Sequence, residues 1–175
     1  MGANLGGVGG RAEHDLFLRS TVDRKGIGMI VDNGRAVEIL LIEDNPGDVR
    51  LAREAFREGK IRNNLYVAVD GVEGLAFLRR TGKFTDAVRP DIILLDLNLP
   101  KMNDIDVLTE IKNDESLRRI PVVILTTSVA DQDILRSYDH HANCYIVTPV
   151  DLEQFLKVVQ TIEDFWVTIV KLPPD

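Results

Sequence analysis

Ile92-Ile93-Leu94-Leu95-Asp96 is the most apolar run of the chain, and it ends in a carboxylate. Four apolar residues and a closing Asp, bounded by Pro90-Asp91 before and by Asn98 and Pro100 after, have the length and flanks of a strand buried on both faces. A second run, Ile39-Leu40-Leu41-Ile42, ends in the same way, in Glu43-Asp44. If the two strands are neighbours, three acidic side chains meet at one edge of a sheet. Close carboxylates raise one another's pKa unless a cation sits among them. Three together point to a hard divalent metal, most simply Mg2+. Asp96 is then the group that the metal serves.

Working outward from these runs, the pattern is an alternation. Strand-like segments are expected at 37–42, 64–69, 91–95, 121–125 and 143–147. Helical segments are expected at 46–58, 71–80, 104–113, 129–140 and 151–169. Five βα units in succession predict an α/β fold, a five-stranded parallel sheet with helices on both faces. The right-handed crossover rule and this unit order give strand order 2-1-3-4-5. Its switch point lies between strands one and three, where open α/β sheets bind ligands. The strands that carry Glu43-Asp44 and Asp96 are those two, so topology and charge converge on one place.

Local signals mark several boundaries. Asn45-Pro46 reads as an N-cap followed by Pro at the first helical position. Ser128 with Asp131, and Asp151 with Gln154, have the spacing of a capping box. In the last helix Leu152, Phe155, Leu156, Val159, Ile162, Trp166 and Ile169 fall near one face.

The 175 residues are 45% hydrophobic and 28% charged, enough for one domain and a short extra segment. A net charge of −7 argues against non-specific nucleic-acid binding, which needs a basic surface. No apolar stretch approaches the ~20 residues of a membrane span. The single cysteine, Cys144, permits no internal disulfide, fits a reducing cytoplasm and reads as a small buried hydrophobe. Residues 1–36 are rich in Gly and charge without a sustained period, and are expected to be a flexible extension. Met29 is an alternative start. The domain is expected over 37–170, with a tail at 171–175.

Such an edge suits a carboxylate nucleophile toward phosphorus, because phosphoryl transfer needs positioning and neutralisation of oxygen charge. The plainer reading of Glu43 and Asp44 is a solvated loop with Asp44 or Asn45 as a helix cap. Thr126, after Val122-Val123-Ile124-Leu125, should reach the same edge, as a phosphoryl-oxygen donor or as an ordinary strand-end Thr. Tyr145 is read first as a core aromatic, and second as a group that swings between buried and exposed positions.

With these residues in place, ILLIEDNPGD (39–48), PDIILLDLNLP (90–100), PVVILTTS (121–128) and NCYIVTPVD (143–151) together resemble a response-regulator receiver domain. Over EDNPGDVRLAREAF, NCYIVTPVDLEQF and IEDFWVTIVKLPP the chain is similar to small single-domain regulators, among them partners of phytochrome-type sensor kinases. The resemblance implies that Asp96 accepts the phosphoryl group and catalyses its own modification. It implies Glu43, Asp44 and Asp96 as metal ligands, joined by the Asn98 backbone carbonyl, with Thr126 and Tyr145 as switch residues. It further implies a sensor histidine kinase as donor, a homodimer through the last helix and tail, output by protein contact, and a signalling domain rather than an enzyme.

Two positions depart from the family pattern. Receivers usually carry Lys before the Pro that follows the fifth strand, and here that residue is Thr148. Lys101, in the loop after Asp96, is a candidate replacement. Asn103-Asp104 stands where Asp-Gly is common, so a left-handed Asp is expected there. Thr148-Pro149 is the position of the family's usual cis peptide bond. Thr148 leaves a second reading open, a phosphorylation-independent pseudo-receiver acting as a constitutive interaction module. An aspartate-nucleophile phosphohydrolase is disfavoured because Asn98 stands where its second Asp is needed. A flavodoxin-like FMN binder is disfavoured because Glu43-Asp44 would repel the phosphate.

Overall fold

A computed structural model describes residues 35–165 apart from 60, 128, 150 and 163 and the side chains of 131 and 152. The apolar runs become strands β1 (Val37–Ile42), β2 (Asn63–Ala68), β3 (Ile92–Asp96), β4 (Val122–Thr126) and β5 (Cys144–Val147). Between and after them lie helices α1 (Pro46–Glu58), α2 (Gly71–Leu78), α3 (Asp104–Asn113), α4 (Asp131–Asp139) and α5 (Leu152–Ile162). All strand pairs are parallel, in the order β2-β1-β3-β4-β5. The expected fold class and strand order are therefore those observed.

The three inner strands are apolar without alternation because both of their faces are covered. Leu40, Ile42, Ile93, Leu95, Val122 and Ile124 pack under α2 and α3, against Leu75, Phe77, Leu78, Val107, Leu108 and Ile111. On the opposite face Ile39, Leu41, Ile92, Leu94, Val123 and Leu125 meet Ala52, Ala55 and Phe56 of α1 and Phe155, Val159 and Ile162 of α5. The α5 stripe is thus borne out over its described part, while Trp166 and Ile169 lie outside the described residues.

The caps account for most helix starts. Asn45 Oδ1 accepts from the Gly47 N–H at 2.8 Å, with Pro46 opening α1. Asp151 Oδ1 accepts from the Gln154 N–H at 3.0 Å, as its spacing predicts. At α4 the expectation fails: the residue before the helix is Ala130, which has no side-chain acceptor to offer. Ser128 lies outside the described residues. A left-handed Asp104 is not found either. Asn103 is extended (φ −69°, ψ 155°) and its side chain accepts from the Asp106 N–H, which makes Asp104 the first helical residue. Positive φ falls instead on Arg80, Lys101 and His141 among the described non-glycine residues. The Thr148–Pro149 bond is trans, the intrinsically favoured isomer even before proline.

Of residues 1–36 only Arg35 and Ala36 are described, and the Arg35 guanidinium already pairs with Asp91 at 2.6 Å. The tail at 171–175 lies outside the described residues. No helix among them is long and apolar enough to cross a membrane.

α2 meets the rest of the molecule through glycine. A Cβ at Gly71 would stand 2.3 Å from Val107 Cγ2 and 3.3 Å from both Cβ and the carbonyl oxygen of Met102. Val107 is fully buried and stiff at χ1, so it cannot swing aside. Gly71→Ala is expected to lower stability by about 1–2 kcal/mol, overpacking outweighing the gain in helix propensity. Urea unfolding of the two proteins measures this, and equal midpoints would show that the contact yields freely.

Candidate functional site

Register places the acidic residues. Ile42 pairs with Leu95 and Asp96 with Leu125, so Glu43, one residue beyond β1, comes level with Asp96 at the carboxyl end of β3. Each of Glu43, Asp44 and Asp96 offers a carboxylate oxygen within 4.8 Å of the others. Glu43 is buried, Asp96 half-buried and Asp44 exposed, so the cluster opens to solvent from one side. The solvated-loop reading of Glu43 gives way on this burial.

The local chain holds each group. The Asn45 N–H donates to Glu43 Oε1 at 2.9 Å, in the same turn in which Asn45 caps α1. The Glu43 N–H itself donates to the Ala68 carbonyl at 2.9 Å, tying the end of β1 to the end of β2. The Asn98 N–H donates to Asp96 Oδ2 at 3.1 Å.

Burial pushes the Glu43 carboxyl up to about 7, helped by the charges of Asp96, Asp48 and Asp44 and opposed by the Asn45 N–H. Burial likewise raises Asp96, with Asp44 and Asp48 adding to it and the Asn98 and Leu97 N–H groups opposing. The groups that favour the charged forms here are backbone donors, not cations. An all-oxygen donor set with crowded negative charge is what a hard divalent cation stabilises, and Glu43, Asp44 and Asp96 are the residues to hold it. The sequence reading gave no part to Asp48. Its signal was its place four residues after Asp44, in the first turn of α1.

Thr126 ends β4 one register step beyond the partner of Asp96, and it is 1% exposed. Its carbonyl accepts from the Thr148 N–H at 2.7 Å, so the position that lacks Lys is joined through the backbone to the end of β4. Tyr145 pairs with Ile124 and lies half-buried against the core cluster under α2 and α3, the first of its two expected readings. Cys144 is half-buried and its thiol is pushed up by burial, as a small hydrophobe should be.

Lys101 does not stand in for the missing Lys in this state. Its ammonium donates to Asp70 Oδ2 at 2.5 Å, while Asp70 Oδ1 caps α2 through the Glu73 N–H at 2.8 Å. Asp70 is the other residue that sequence reasoning left aside. Its signal was the cap spacing to Glu73.

Known proteins share this fold. The profile of the response regulator receiver domain matches residues 39–160. Response regulator Rcp1 of Synechocystis sp. is 45% identical over 135 residues, covering 77% of this chain and 92% of Rcp1. The phosphorylated cyanobacterial phytochrome response regulator RcpA superposes with a TM-score of 0.77 at 46% identity, over 80% of this chain and 100% of RcpA. The Mn2+-bound form of Rcp1 superposes at 0.74 and 44% identity, over 79% and 99% of the two chains. On the profile match, these relatives and the shared sheet, the chain belongs to the response regulator receiver domain family.

Proposed function

We propose that Asp96 accepts a phosphoryl group from a sensor histidine kinase, with Mg2+ held by Glu43, Asp44, Asp96 and the Asn98 backbone carbonyl. The observation that carries this reading is the convergence of three carboxylates within 4.8 Å at the switch point of the sheet. When bound, the cation neutralises developing charge on the phosphoryl oxygens. The chain's own part is to position. Asp96, fixed through Oδ2 by the Asn98 N–H, presents a carboxylate oxygen to phosphorus. The new O–P bond forms an acyl phosphate as the P–N bond to the donor imidazole breaks, and its electron pair returns to that ring nitrogen. Thr126, buried at the end of the neighbouring strand, is the hydroxyl we assign to sensing the product, with Tyr145 beside it in the switch.

Output is by protein contact in the cytoplasm, without nucleic acid or membrane. Its supporting feature is α4, in which Ser137 is buried while Leu135 and Tyr138 stand 63% and 49% exposed, next to Val129 at 73%. A helix so lightly anchored is easily biased by charge added nearby. Similarity to the phytochrome response regulator RcpA supports a phytochrome-like kinase as donor, and a homodimer through the last helix is part of the same proposal. Residues 37–170 would form the receiver, with 1–36 an extension and 171–175 a tail.

Incubation with a small phosphodonor is expected to give an acid-labile phosphoprotein only when a divalent metal is present. A folded protein that gains no acyl phosphate would overturn the reading. Thr148→Lys supplies the cation usual in receivers, and hydrogen bonds to charged groups contribute about 1.5–3 kcal/mol. The variant is expected to show a larger phosphate-dependent change in α4, read by hydrogen exchange. Equal changes would make Thr148 neutral to coupling.

A further inference from the structure

Among the described residues three that are not glycine have left-handed backbone, and two of them explain themselves. Arg80 and His141 follow the caps of α2 and α4, where a left-handed residue closes a helix. Lys101 (φ 66°) does not. It stands two residues before the cap of α3, in the loop that begins at Asp96, and its long side chain offers no local compensation of the kind Asn supplies. A conformation of this sort persists when its surroundings over-determine it.

The surroundings are α2. The Lys101 ammonium is bonded to an Asp70 carboxylate whose side chain is 4% exposed and whose second oxygen caps α2. That pairing holds the Asp70 carboxyl below its ordinary range, the Lys101 hydrogen bond being the first cause and the Glu73 N–H the second. Beside it Met102 lies against Gly71, its Cβ and carbonyl oxygen each 3.3 Å from where a side chain there would begin. The loop is therefore pressed onto the start of α2 by contact and tied to it by charge.

The tie also bears on the acidic cluster. From Asp96 the chain runs through Asn98 to Lys101, then across the ion pair to Asp70, which follows β2. Ala68 of β2 accepts from the Glu43 N–H, and Glu43 faces Asp96. The loop that follows Asp96 and the segment that follows β2 are thus joined beside the acidic cluster by the Lys101–Asp70 ion pair.

We propose that the Lys101–Asp70 ion pair is a positioning device for the phosphoacceptor site, holding the loop so that the Asn98 backbone stays set toward Asp96. Lys101 acts through the loop and touches neither metal nor phosphate. The inference rests on the functional reading above for its purpose, and on the loop geometry alone for its mechanism.

The test compares full-length wild type with Lys101→Met, Lys101→Arg and Asp70→Asn. Met keeps the backbone strain and removes the charge, Arg restores the charge, and Asn keeps the cap of α2 while removing the acid. Two quantities are read: hydrogen exchange of the Asn98 amide in metal-free protein, and Mn2+ affinity. Lys101→Met and Asp70→Asn are expected to speed Asn98 exchange about tenfold and to weaken Mn2+ about tenfold, the low end for loss of an outer support. Lys101→Arg should recover both, which loss of general stability would not allow. Exchange and affinity unmoved in Lys101→Met would overturn the proposal, as would failure of Arg to rescue. If wild type binds no Mn2+ yet Asn98 exchange still depends on Lys101, the metal reading falls and the clamp stands.

Discussion

Asp96→Asn is expected to abolish acid-labile phosphate uptake while leaving the sheet folded and slightly more stable. The amide is isosteric and its Oδ1 still accepts from the Asn98 N–H, so the hydrogen bond found at 3.1 Å survives. What is lost is the nucleophile: an amide oxygen does not form a stable bond to phosphorus, and uptake should fall to background, on the order of 100-fold or more. What is relieved is crowding, because Asp96 is among the charges that push Glu43 up. Removing one like charge should raise stability by about 1 kcal/mol in metal-free buffer. Phosphate incorporation after a small phosphodonor, followed by hydroxylamine cleavage, measures the first effect, and thermal unfolding the second. Uptake by Asp96→Asn at the wild-type level would place the acceptor elsewhere.

The substitution can be stated so narrowly because the site was legible in the chain before any geometry. Two apolar runs each ending in acid, in the first and third βα units, point to strand burial and carboxylate placement once the strand order makes them neighbours. The α1 and α3 bounds came out as expected because Asn45-Pro46 marks the start of one, and apolar periodicity together with Asn103 marks the other. α4, expected over 129–140, came out shorter at both ends, with Ala130 before it offering no side-chain cap to mark its start. The left-handed residue was expected at Asp104 and fell on Lys101, because the loop is shaped by Gly71 and Asp70, some thirty residues away in sequence. That same packing turns Lys101 toward α2, a direction that loop spacing could not supply.

Asp48 shows the same limit on the electrostatic side. Its carboxyl acts on both Glu43 and Asp96, yet only the path of α1 brings it near. Residues whose part depends on chain direction were readable. Those whose part depends on how two elements lean together were not.

The metal-free protein should lose stability as pH rises from 5 to 8, and a divalent cation should remove that loss. Glu43 has an ordinary value of 4.5 and is pushed up to about 7 in the fold, chiefly by burial. Below 4.5 both folded and unfolded chains hold the proton, and its stabilising contribution is fully present. Between 4.5 and 7 the unfolded chain releases the proton while the fold retains it, so stability falls with pH, and above 7 the loss is complete. A shift of this size corresponds to about 3 kcal/mol, or on the order of 10 °C in Tm for a domain of this length. Asp96 and Asp104 move in the same direction, each raised chiefly by burial. Asp70, Glu73 and Asp114 are lowered, so their contributions are lost as pH falls through their depressed values, below this window. Lys112, pushed down to about 8 by burial, regains stability only as pH climbs from there. Glu43, pushed furthest of the three, therefore sets most of the slope between pH 5 and 7. Millimolar Mg2+ favours the deprotonated cluster and stabilises the fold that binds it, so the slope should flatten or reverse. Glu43→Gln, with no proton to lose, should flatten the slope without metal and weaken the response to it. Thermal unfolding in chelator across this range, with and without Mg2+, measures all three. A Glu43→Gln protein with the wild-type slope would assign the pH dependence to another group.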